Sequence, residues 1–313
     1  MTRAKRGGYR GKTVGVFLGG ESSEREVSLR TGAAAASALR RLGYQVREVD
    51  IRGDWLAGIR DSGVDVAFLA LHGRFGEDGC IQGALELARI PYTGSGVAAS
   101  ALSMSKVLAK RIAASAGVPV AADALYEGET VSSPPPTGFG FPLVVKPDRE
   151  GSTVGVSIVR SPEGWAQALA EAAKFDSRVL VEAYIPGREI TVGILNGRVL
   201  PAIEIVPKSG SGFYDYRSKY TLGQTEYVIP VPMDRDILVR AADCTRKAAA
   251  ALSLRGAARL DYRVDPAGNL FFLEANTIPG MTETSLLPKA AKFDGLSFDE
   301  LVEEILDDAG LGK

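Results

Sequence analysis

The stretch that decides the fold covers residues 257–276 and reads AARLDYRV (257–264), DPAG (265–268) and NLFFLEAN (269–276). Two mainly apolar runs joined by a turn that contains Pro and Gly predict a β-hairpin. Side chains alternate between the two faces of a strand, so Arg259 and Asp261 share one face of the first strand. If the turn centres near Ala267, Glu274 on the second strand lies opposite Asp261.

Polar residues then gather on one face of this hairpin, and they are Arg259, Asp261, Glu274 and Asn276. The opposite face is expected to carry the apolar side chains Leu260, Tyr262, Val264, Phe271, Leu273 and Ala275. An Asp, a Glu and an Asn amide are the all-oxygen ligand set that suits Mg²⁺ bound to nucleotide phosphates. For the hairpin taken alone, a solvated sheet face with surface ion pairs is an equally good interpretation.

A lysine and a Gly/Ser/Thr loop form a second candidate site. Residues 142–147 read PLVVKP, so Lys146 ends a predicted buried strand, and residues 149–155 read REGSTVG. One point charge beside several backbone N–H groups suits a phosphate. The pattern is not the GxxxxGK[ST] loop, and either half alone also fits a Gly-rich turn beside a lysine. Both halves, together with the oxygen-rich hairpin, indicate a site for a nucleoside triphosphate.

The first third of the chain alternates short apolar runs with amphipathic ones. The pattern predicts strands at 13–18, 45–51 and 64–72 and helices at 27–42 and 81–88. This order is typical of an α/β fold in which helices cover an open parallel sheet. Such sheets bind ligands at the carboxyl ends of their strands.

Glu24 follows the first of these predicted strands, and His72 ends the third. Ser23 and Glu26 fit a capping box, which places Glu24 in the first turn of the first helix. Both side chains are therefore expected beside the crevice at the strand ends. The alternatives are a surface carboxylate that stabilises the helix N-terminus and a structural histidine.

The rest of the chain predicts α+β structure with antiparallel strands. Strands are expected at 141–146, 155–159 and 178–182, with helices at 106–116, 161–173 and 234–252, and the Pro-rich residues 132–136 separate the first helix from the strands. Asn196 and Gly197 lie between two apolar runs and predict a type I′ hairpin turn. The aperiodic segment 207–225 is long for a loop inside a compact protein, which indicates either a functional or a disordered loop.

Composition narrows the class of protein. The chain has 313 residues, 45% hydrophobic and 24% charged, with 37 Lys and Arg against 38 Asp and Glu. This balance favours an ordinary globular protein of two or three domains, with no affinity for nucleic acid and no membrane segment. Two isolated cysteines indicate a reducing cytoplasmic location, and one histidine excludes a multi-histidine metal site. The basic residues 1–12 are predicted to form a disordered tail.

Six motifs together resemble one enzyme family. They are GGxSxEREVS from Gly19, LHGxxGEDG from Leu71, YTGSG from Tyr92, KPxREGS from Lys146, FYDY from Phe213 and LEANTxPGMT from Leu273. In this order, from about residue 13 to the C-terminus, they are similar to the D-alanine:D-alanine ligases. Asp148, which stands where Ser is familiar in the family, and the basic segment before Lys12 depart from the pattern, and neither has an assigned role.

The resemblance implies an ATP-grasp fold behind a Rossmann-like open parallel sheet. It implies an N-terminal domain at 13–104, a central domain at 105–187, and a C-terminal domain at 188–313 that contains an active-site loop at 207–226. It also implies a homodimer. The expected activity is the ATP-dependent ligation of two D-alanines through an acyl phosphate, for synthesis of the peptidoglycan precursor.

The resemblance assigns the ATP site to the central and C-terminal domains. The implied contacts are Lys106 and Lys146 with the α and β phosphates, Lys219 with the γ-phosphate, Glu182 and the Ile185 backbone with the adenine edge, and Glu189 with the ribose. The implied metal ligands are Asp261, Glu274 and Asn276, which would hold two Mg²⁺ ions or Mn²⁺ in their place. This assignment agrees with the one-face interpretation of the hairpin.

The resemblance also assigns the substrate site. The implied roles are Glu24 on the first ammonium with His72 nearby, Arg259 and the Gly280 N–H on the oxyanion, Ser285 and the Leu286 N–H on the second carboxylate, and Ser152 as a link from Glu24 to Tyr220. The alternatives are a D-alanine:D-lactate ligase and a catalytically silent ATP-binding protein. The intact set of predicted ATP and metal residues argues against the silent protein.

Overall fold

The computed structural model describes residues 7–128, 133–208 and 225–313. The helices of these residues are α1 (Arg25–Arg41), α2 (Trp55–Arg60), α3 (Cys80–Ala88), α4 (Val97–Met104), α5 (Lys106–Ser115), α6 (Trp165–Ala173), α7 (Arg235–Ala251), α8 (Leu286–Phe293) and α9 (Phe298–Asp307). The strands are β1 (Thr13–Gly19), β2 (Gln45–Ile51), β3 (Val66–Leu69), β4 (Asp123–Glu127), β5 (Leu143–Pro147), β6 (Ser157–Val159), β7 (Arg178–Ala183), β8 (Arg188–Leu195), β9 (Arg198–Val199), β10 (Ile203–Pro207), β11 (Thr225–Val228), β12 (Ala257–Val264) and β13 (Leu270–Asn276).

The first sheet is open and parallel, as the sequence predicts. Its strand order is β2-β1-β3, and both neighbours of β1 run parallel to it. Six of the seven residues of β1 are buried, because α1 covers one face and an apolar cluster that includes Leu85 and Tyr92 covers the other. The carboxyl ends of β1 and β3 therefore open onto one crevice.

The capping box predicted from Ser23 and Glu26 at the start of α1 is not formed, so that prediction is wrong. The helix begins at Arg25, Glu24 precedes it, and no side chain caps its first turn. Ser22 takes the local contacts instead, because its hydroxyl accepts from the Glu24 N–H at 3.2 Å and donates to the His72 carbonyl at 2.7 Å. These bonds join the ends of the first and third strands.

The predicted disorder of residues 1–12 is wrong for the described residues 7–12. The Tyr9 hydroxyl donates to the Ala309 carbonyl at 2.8 Å. Arg10 donates to the Leu42 carbonyl at 2.9 Å and to Glu303 at 3.2 Å. This segment therefore packs on α9 and on the end of α1.

The second sheet is antiparallel, with strand order β4-β7-β5-β6, and α6 packs on it. Its core includes Leu143, Val145, Trp165 and Val181. The predicted α+β unit is confirmed here. Lys146 and Glu182 lie on neighbouring strands of this sheet.

The third sheet has the order β11-β10-β8-β12-β13, with β9 beside β8. Asn196 and Gly197 have φ values of 49° and 80°, which confirms the predicted two-residue turn. The return strand is interrupted near Pro201, a residue that lacks a backbone donor. Ala109 and Ala113 of α5 share the apolar core of this sheet with Phe272.

The predicted pairing of β12 with β13 is confirmed at one end of the hairpin, and the predicted alternation of side chains is wrong at Leu273. Asp261 lies opposite Glu274, and Arg259 lies opposite Asn276, as the sequence predicts. A bulge follows, because Tyr262 pairs with Phe272 and leaves Leu273 without a partner across the strands. Leu273 therefore faces a cleft instead of the apolar core.

One apolar core joins the first and third sheets. It contains Val16 of the first sheet and Leu39 of α1, Leu195 and Ile203 of the third sheet, and Leu301 of α9. This shared core fixes the crevice of the parallel sheet against the hairpin face. Among the described residues, none of the helices is long and apolar enough to cross a membrane.

Candidate active site

Two cavities meet on the polar face of the β12–β13 hairpin. The larger lies between the second and third sheets, and the smaller lies between the first sheet and the hairpin. Both are lined by Gly151, Ser152, Arg259 and Glu274. Ligands in the two cavities would therefore come into contact at these four residues.

Two lysines point into the larger cavity, one from helix α5 and one from the second sheet. Lys106, the first residue of α5, donates to the Glu150 carbonyl at 2.6 Å and lies 3.4 Å from the Glu274 carboxylate. Lys146 on β5 pairs with Glu182 at 2.5 Å. Burial acts to lower the pKa of Lys146, but nearby carboxylates, above all Glu182, outweigh it and raise the pKa.. Both predicted phosphate contacts therefore line the same cleft.

Glu182 has both carboxylate oxygens occupied in this buried position on β7. One oxygen pairs with Lys146 and the other with Lys110, which the sequence reasoning did not assign. Burial acts to raise the pKa of Glu182, but the two lysines outweigh it and hold the pKa below its usual range. Lys110 lies four positions after Lys106 on α5, and that spacing could have placed both on one face.

The far end of the larger cavity carries Glu189, Ile185 and a second unassigned residue, Arg263. Arg263 donates to the Ile185 carbonyl at 3.2 Å and to the Gly187 carbonyl at 2.8 Å, and lies 3.4 Å from Glu189. Burial raises the pKa of Glu189 to about 7, with Asp261 and Glu274 adding to the shift and Arg263 opposing it. Arg263 thus holds together the residues predicted to bind adenosine.

The predicted metal ligands lie at adjoining register positions of one face. Asp261 accepts from Arg259 through two bonds of 3.0 Å and from the Thr191 hydroxyl at 2.5 Å. Asn276 accepts from the Ile278 N–H at 3.1 Å. Across residues 7–128, 133–208 and 225–313, no three His, Cys, Asp or Glu side chains are grouped as a metal site. Two carboxylates and one amide oxygen on a single face nevertheless fit a divalent cation that also takes phosphate oxygens.

Glu24, Ser152 and His72 line the smaller cavity. The Ser152 hydroxyl donates to the Glu24 carboxylate. His72 is buried, and its Nε2 lies 3.2 Å from the Thr31 hydroxyl, which accepts from the Met281 N–H. Ser152 has a φ of 52°, an uncommon conformation for a non-glycine residue. The loop is thus held in a bent form that brings its hydroxyl to Glu24.

Gly280, Ser285 and Leu286 line the opposite wall of the smaller cavity. The Ser285 hydroxyl accepts from the Thr282 N–H at 2.9 Å, and Leu286 is the first residue of α8. A Cβ at Gly280 would lie 2.9 Å from that hydroxyl. The N-terminus of a helix favours an anion, so this wall suits a carboxylate.

Asp148, left without a role by sequence, is fully buried beneath the site. It accepts from the Val107 N–H at 2.9 Å and the Ser105 hydroxyl at 2.8 Å, and Arg178 lies at 3.3 Å. It therefore ties the start of α5, and with it Lys106, to the second sheet. Two predicted site residues, Lys219 and Tyr220, lie outside the described residues.

Comparison with known proteins gives a consistent result over almost the whole chain. The family models described as D-ala D-ala ligase N-terminus and C-terminus match residues 55–95 and 114–307. The D-alanine:D-alanine ligase of Syntrophotalea carbinolica is 52% identical over 303 residues, which cover 96% of this chain and 97% of that protein.

Solved structures agree with the sequence matches. The crystal structure of D-alanine:D-alanine ligase from Bacillus anthracis has a TM-score of 0.82 and 33% identity, and covers 95% of this chain and 97% of its own. The same enzyme complexed with ATP has a TM-score of 0.80 and 31% identity, with 95% and 96% covered. The likeness therefore extends across all three sheets and both cavities.

Proposed function

The chain belongs to the D-alanine:D-alanine ligase family, and we propose that it joins two D-alanines through an acyl phosphate at the expense of ATP. The predicted fold class, ATP-grasp behind an open parallel sheet, is confirmed. The observation that carries the proposal is the shared wall of the two cavities. A nucleotide in one and an amino acid in the other would meet at Ser152, Arg259 and Glu274.

We assign the larger cavity to ATP. Lys106 and Lys146 would bind the α and β phosphates as point charges, and the loop 149–155 would add backbone N–H groups. Glu182 and the Ile185 backbone would bind the adenine edge, with Glu189 on the ribose hydroxyls. The contact of Arg263 with Ile185 and Glu189 supports this assignment, because it fixes both groups at one end of the cavity.

Asp261, Glu274 and Asn276 would hold Mg²⁺, or Mn²⁺ in its place. The bound cations would neutralise the phosphate charge that develops during transfer. Arg259 and Lys106, which pair with Asp261 and Glu274 in the structure, lie where they can turn to phosphate or substrate oxygens instead.

In the first step, a carboxylate oxygen of the first D-alanine forms a bond to the γ-phosphorus. The bond from that phosphorus to the β,γ-bridging oxygen breaks, and its electron pair leaves with ADP. Glu24 would hold the substrate ammonium, with His72 beside it, and the Ser152 hydroxyl would orient the Glu24 carboxylate. Holding the carboxylate against the γ-phosphate makes the attack effectively unimolecular, which lowers its entropic cost.

In the second step, the ammonium of the second D-alanine releases one proton to water, and the resulting amine attacks the acyl carbon and gives up a further proton to water as the amide forms. The carbon–oxygen bond to phosphate then breaks, and inorganic phosphate leaves. Arg259 and the Gly280 N–H would stabilise the oxyanion of the tetrahedral intermediate. Ser285 and the Leu286 N–H would hold the second carboxylate at the start of α8.

The deciding experiment incubates the full chain with ATP, Mg²⁺ and D-alanine, and measures phosphate and dipeptide together. We expect one phosphate per dipeptide, no product with L-alanine, and little depsipeptide when D-lactate is added. ATP-dependent ligation of an unrelated acid, with D-alanine inert, would refute the proposal. We also propose that the enzyme is a cytoplasmic homodimer. Light scattering on the same sample tests the homodimer.

A further inference from the structure

Lys110 is a buried lysine for which the proposed mechanism has no use. Its side chain is 1% exposed. The ammonium has three N–H donors, and three acceptors surround it: the Ala121 carbonyl at 3.2 Å, Asp123 at 2.8 Å and Glu182. A buried ammonium with three acceptors is held in position, because moving it away would leave buried N–H donors unpaired.

The helix that carries Lys110 packs on a different sheet from the one that carries Asp123 and Glu182. Ala109 and Ala113 of α5 pack into the core of the third sheet. Asp123 and Glu182 are register partners on β4 and β7 of the second sheet. Lys110 thus connects a helix that packs on the third sheet to Glu182 on the second sheet. It binds one carboxylate oxygen of Glu182 from behind the wall of the larger cavity.

The charges around Glu182 balance only when both lysines are present. Lys110 and Lys146 supply two positive charges, and Glu182 and Asp123 supply two negative ones. When Lys146 turns to a nucleotide phosphate, the second oxygen of Glu182 becomes available to a ligand. Lys110 is then the cation that keeps the buried carboxylate ionised, since an unpaired buried charge is strongly unfavourable.

We propose that Lys110 is a positioning residue that holds Glu182 as an ionised acceptor and thereby sets the preference for adenine over 6-oxopurines. The proposal rests on the assignment of Glu182 to the adenine edge. The 6-amino group of adenine donates a hydrogen bond to a carboxylate. The 6-oxo group of hypoxanthine is an acceptor and is repelled by it.

The test measures the affinity of the full chain for ATP and for ITP by calorimetry with Mg²⁺ and without D-alanine. We expect wild type to bind ATP more tightly, and Lys110→Met to reduce the ATP:ITP ratio by about tenfold, the size of one charge-assisted hydrogen bond. Lys110→Arg keeps the charge and should retain most of the preference. Asp123→Asn is the matched control, because it removes the negative charge beside Lys110 but keeps an acceptor oxygen and leaves the contact with Glu182.

A purely structural role predicts a different result. Lys110→Met would then weaken ATP and ITP equally and leave the ratio unchanged, which would overturn the proposal. If Lys110→Met does not fold, Lys110→Gln and Lys110→Arg give the same comparison, and an equal ratio in both contradicts it. Binding is measured without ligation, so the two proposals can fail separately. If wild type forms no dipeptide but Lys110→Met still lowers the ATP:ITP ratio, the proposed function is refuted while the role of Lys110 is supported.

Discussion

Ser152 donates its hydroxyl to the carboxylate of Glu24, a residue 128 positions earlier in the chain. The bond joins the loop beside the nucleotide cleft to the carboxyl end of the parallel sheet. It therefore connects the two cavities through a pair of side chains that both line the smaller one.

Removal of this hydroxyl should affect the amino-acid substrate more than the nucleotide. For Ser152→Ala we expect kcat/KM for D-alanine to fall about tenfold or more, because Glu24 loses a donor that orients it. KM for ATP should change less. Steady-state kinetics with each substrate varied will measure both. Ser115→Ala, an exposed serine on α5, is the control, and an equal loss for both substrates would contradict the orienting role.

Glu274→Gln tests the hairpin as a metal site. The change retains size but removes one of two carboxylate charges from the predicted ligand set, so Mg²⁺ should bind about tenfold more weakly or worse. Activity measured against Mg²⁺ concentration should shift to a higher midpoint. Glu127→Gln changes an exposed carboxylate on β4 and should leave the midpoint in place. An unshifted midpoint in Glu274→Gln would rule out this residue as a ligand.

Asp148→Ala should destabilise the protein. The substitution leaves the buried Ser105 hydroxyl and the Val107 N–H without their acceptor. Loss of such a buried carboxylate costs about 2 to 4 kcal/mol. Urea unfolding will measure the change in the free energy of unfolding, with the exposed Asp61→Ala as the control. A free energy within error of wild type would show that Asp148 does not anchor α5.

Asp176 gives a prediction about pH. It accepts from the Arg149 side chain and from two backbone N–H groups. Burial acts to raise its pKa, but these bonds outweigh it and the pKa is lowered. A lowered folded-state pKa adds stability above the unfolded value of about 3.9, and that stability is lost as the pH falls through the folded value.

Asp176→Asn should therefore be less stable than wild type near neutral pH, and the difference should shrink in acid. Urea unfolding of both proteins at several pH values, between neutrality and the lowest at which they fold, will measure it. A difference that stays constant with pH would mean that packing, and not the charge of Asp176, is responsible.

The parts of the site that depend on local pattern were predictable from sequence. Alternation along two strands and one turn position placed Asp261 opposite Glu274, and the structure has that register. Alternation failed one residue further on, because no sequence signal marks the bulge that turns Leu273 into the cleft.

The parts that depend on distant partners were not predictable. Lys110 meets Glu182 across 72 positions, and Asp148 meets Ser105 across 43. A lysine on an amphipathic helix and an aspartate after a proline both suit an exposed surface. Their roles follow only from the packing of α5 between two sheets, which buries both side chains and leaves each with partners of fixed geometry.

Gly280 is proposed to donate its backbone N–H to the oxyanion, and its lack of a side chain lets the backbone lie close to Ser285. A methyl group there would lie 2.9 Å from the Ser285 hydroxyl, so either the Gly280 backbone or Ser285 must shift. Removal of an oxyanion donor typically lowers kcat by about 10² to 10³, and a displaced donor should cost about tenfold or more. For Gly280→Ala we therefore expect a lower kcat for dipeptide synthesis, with ATP affinity close to wild type. Gly138→Ala is the control, since a Cβ at Gly138 meets nothing within 4 Å. Steady-state rates and nucleotide binding separate the two effects, and an unchanged kcat in Gly280→Ala would remove this residue from the oxyanion site.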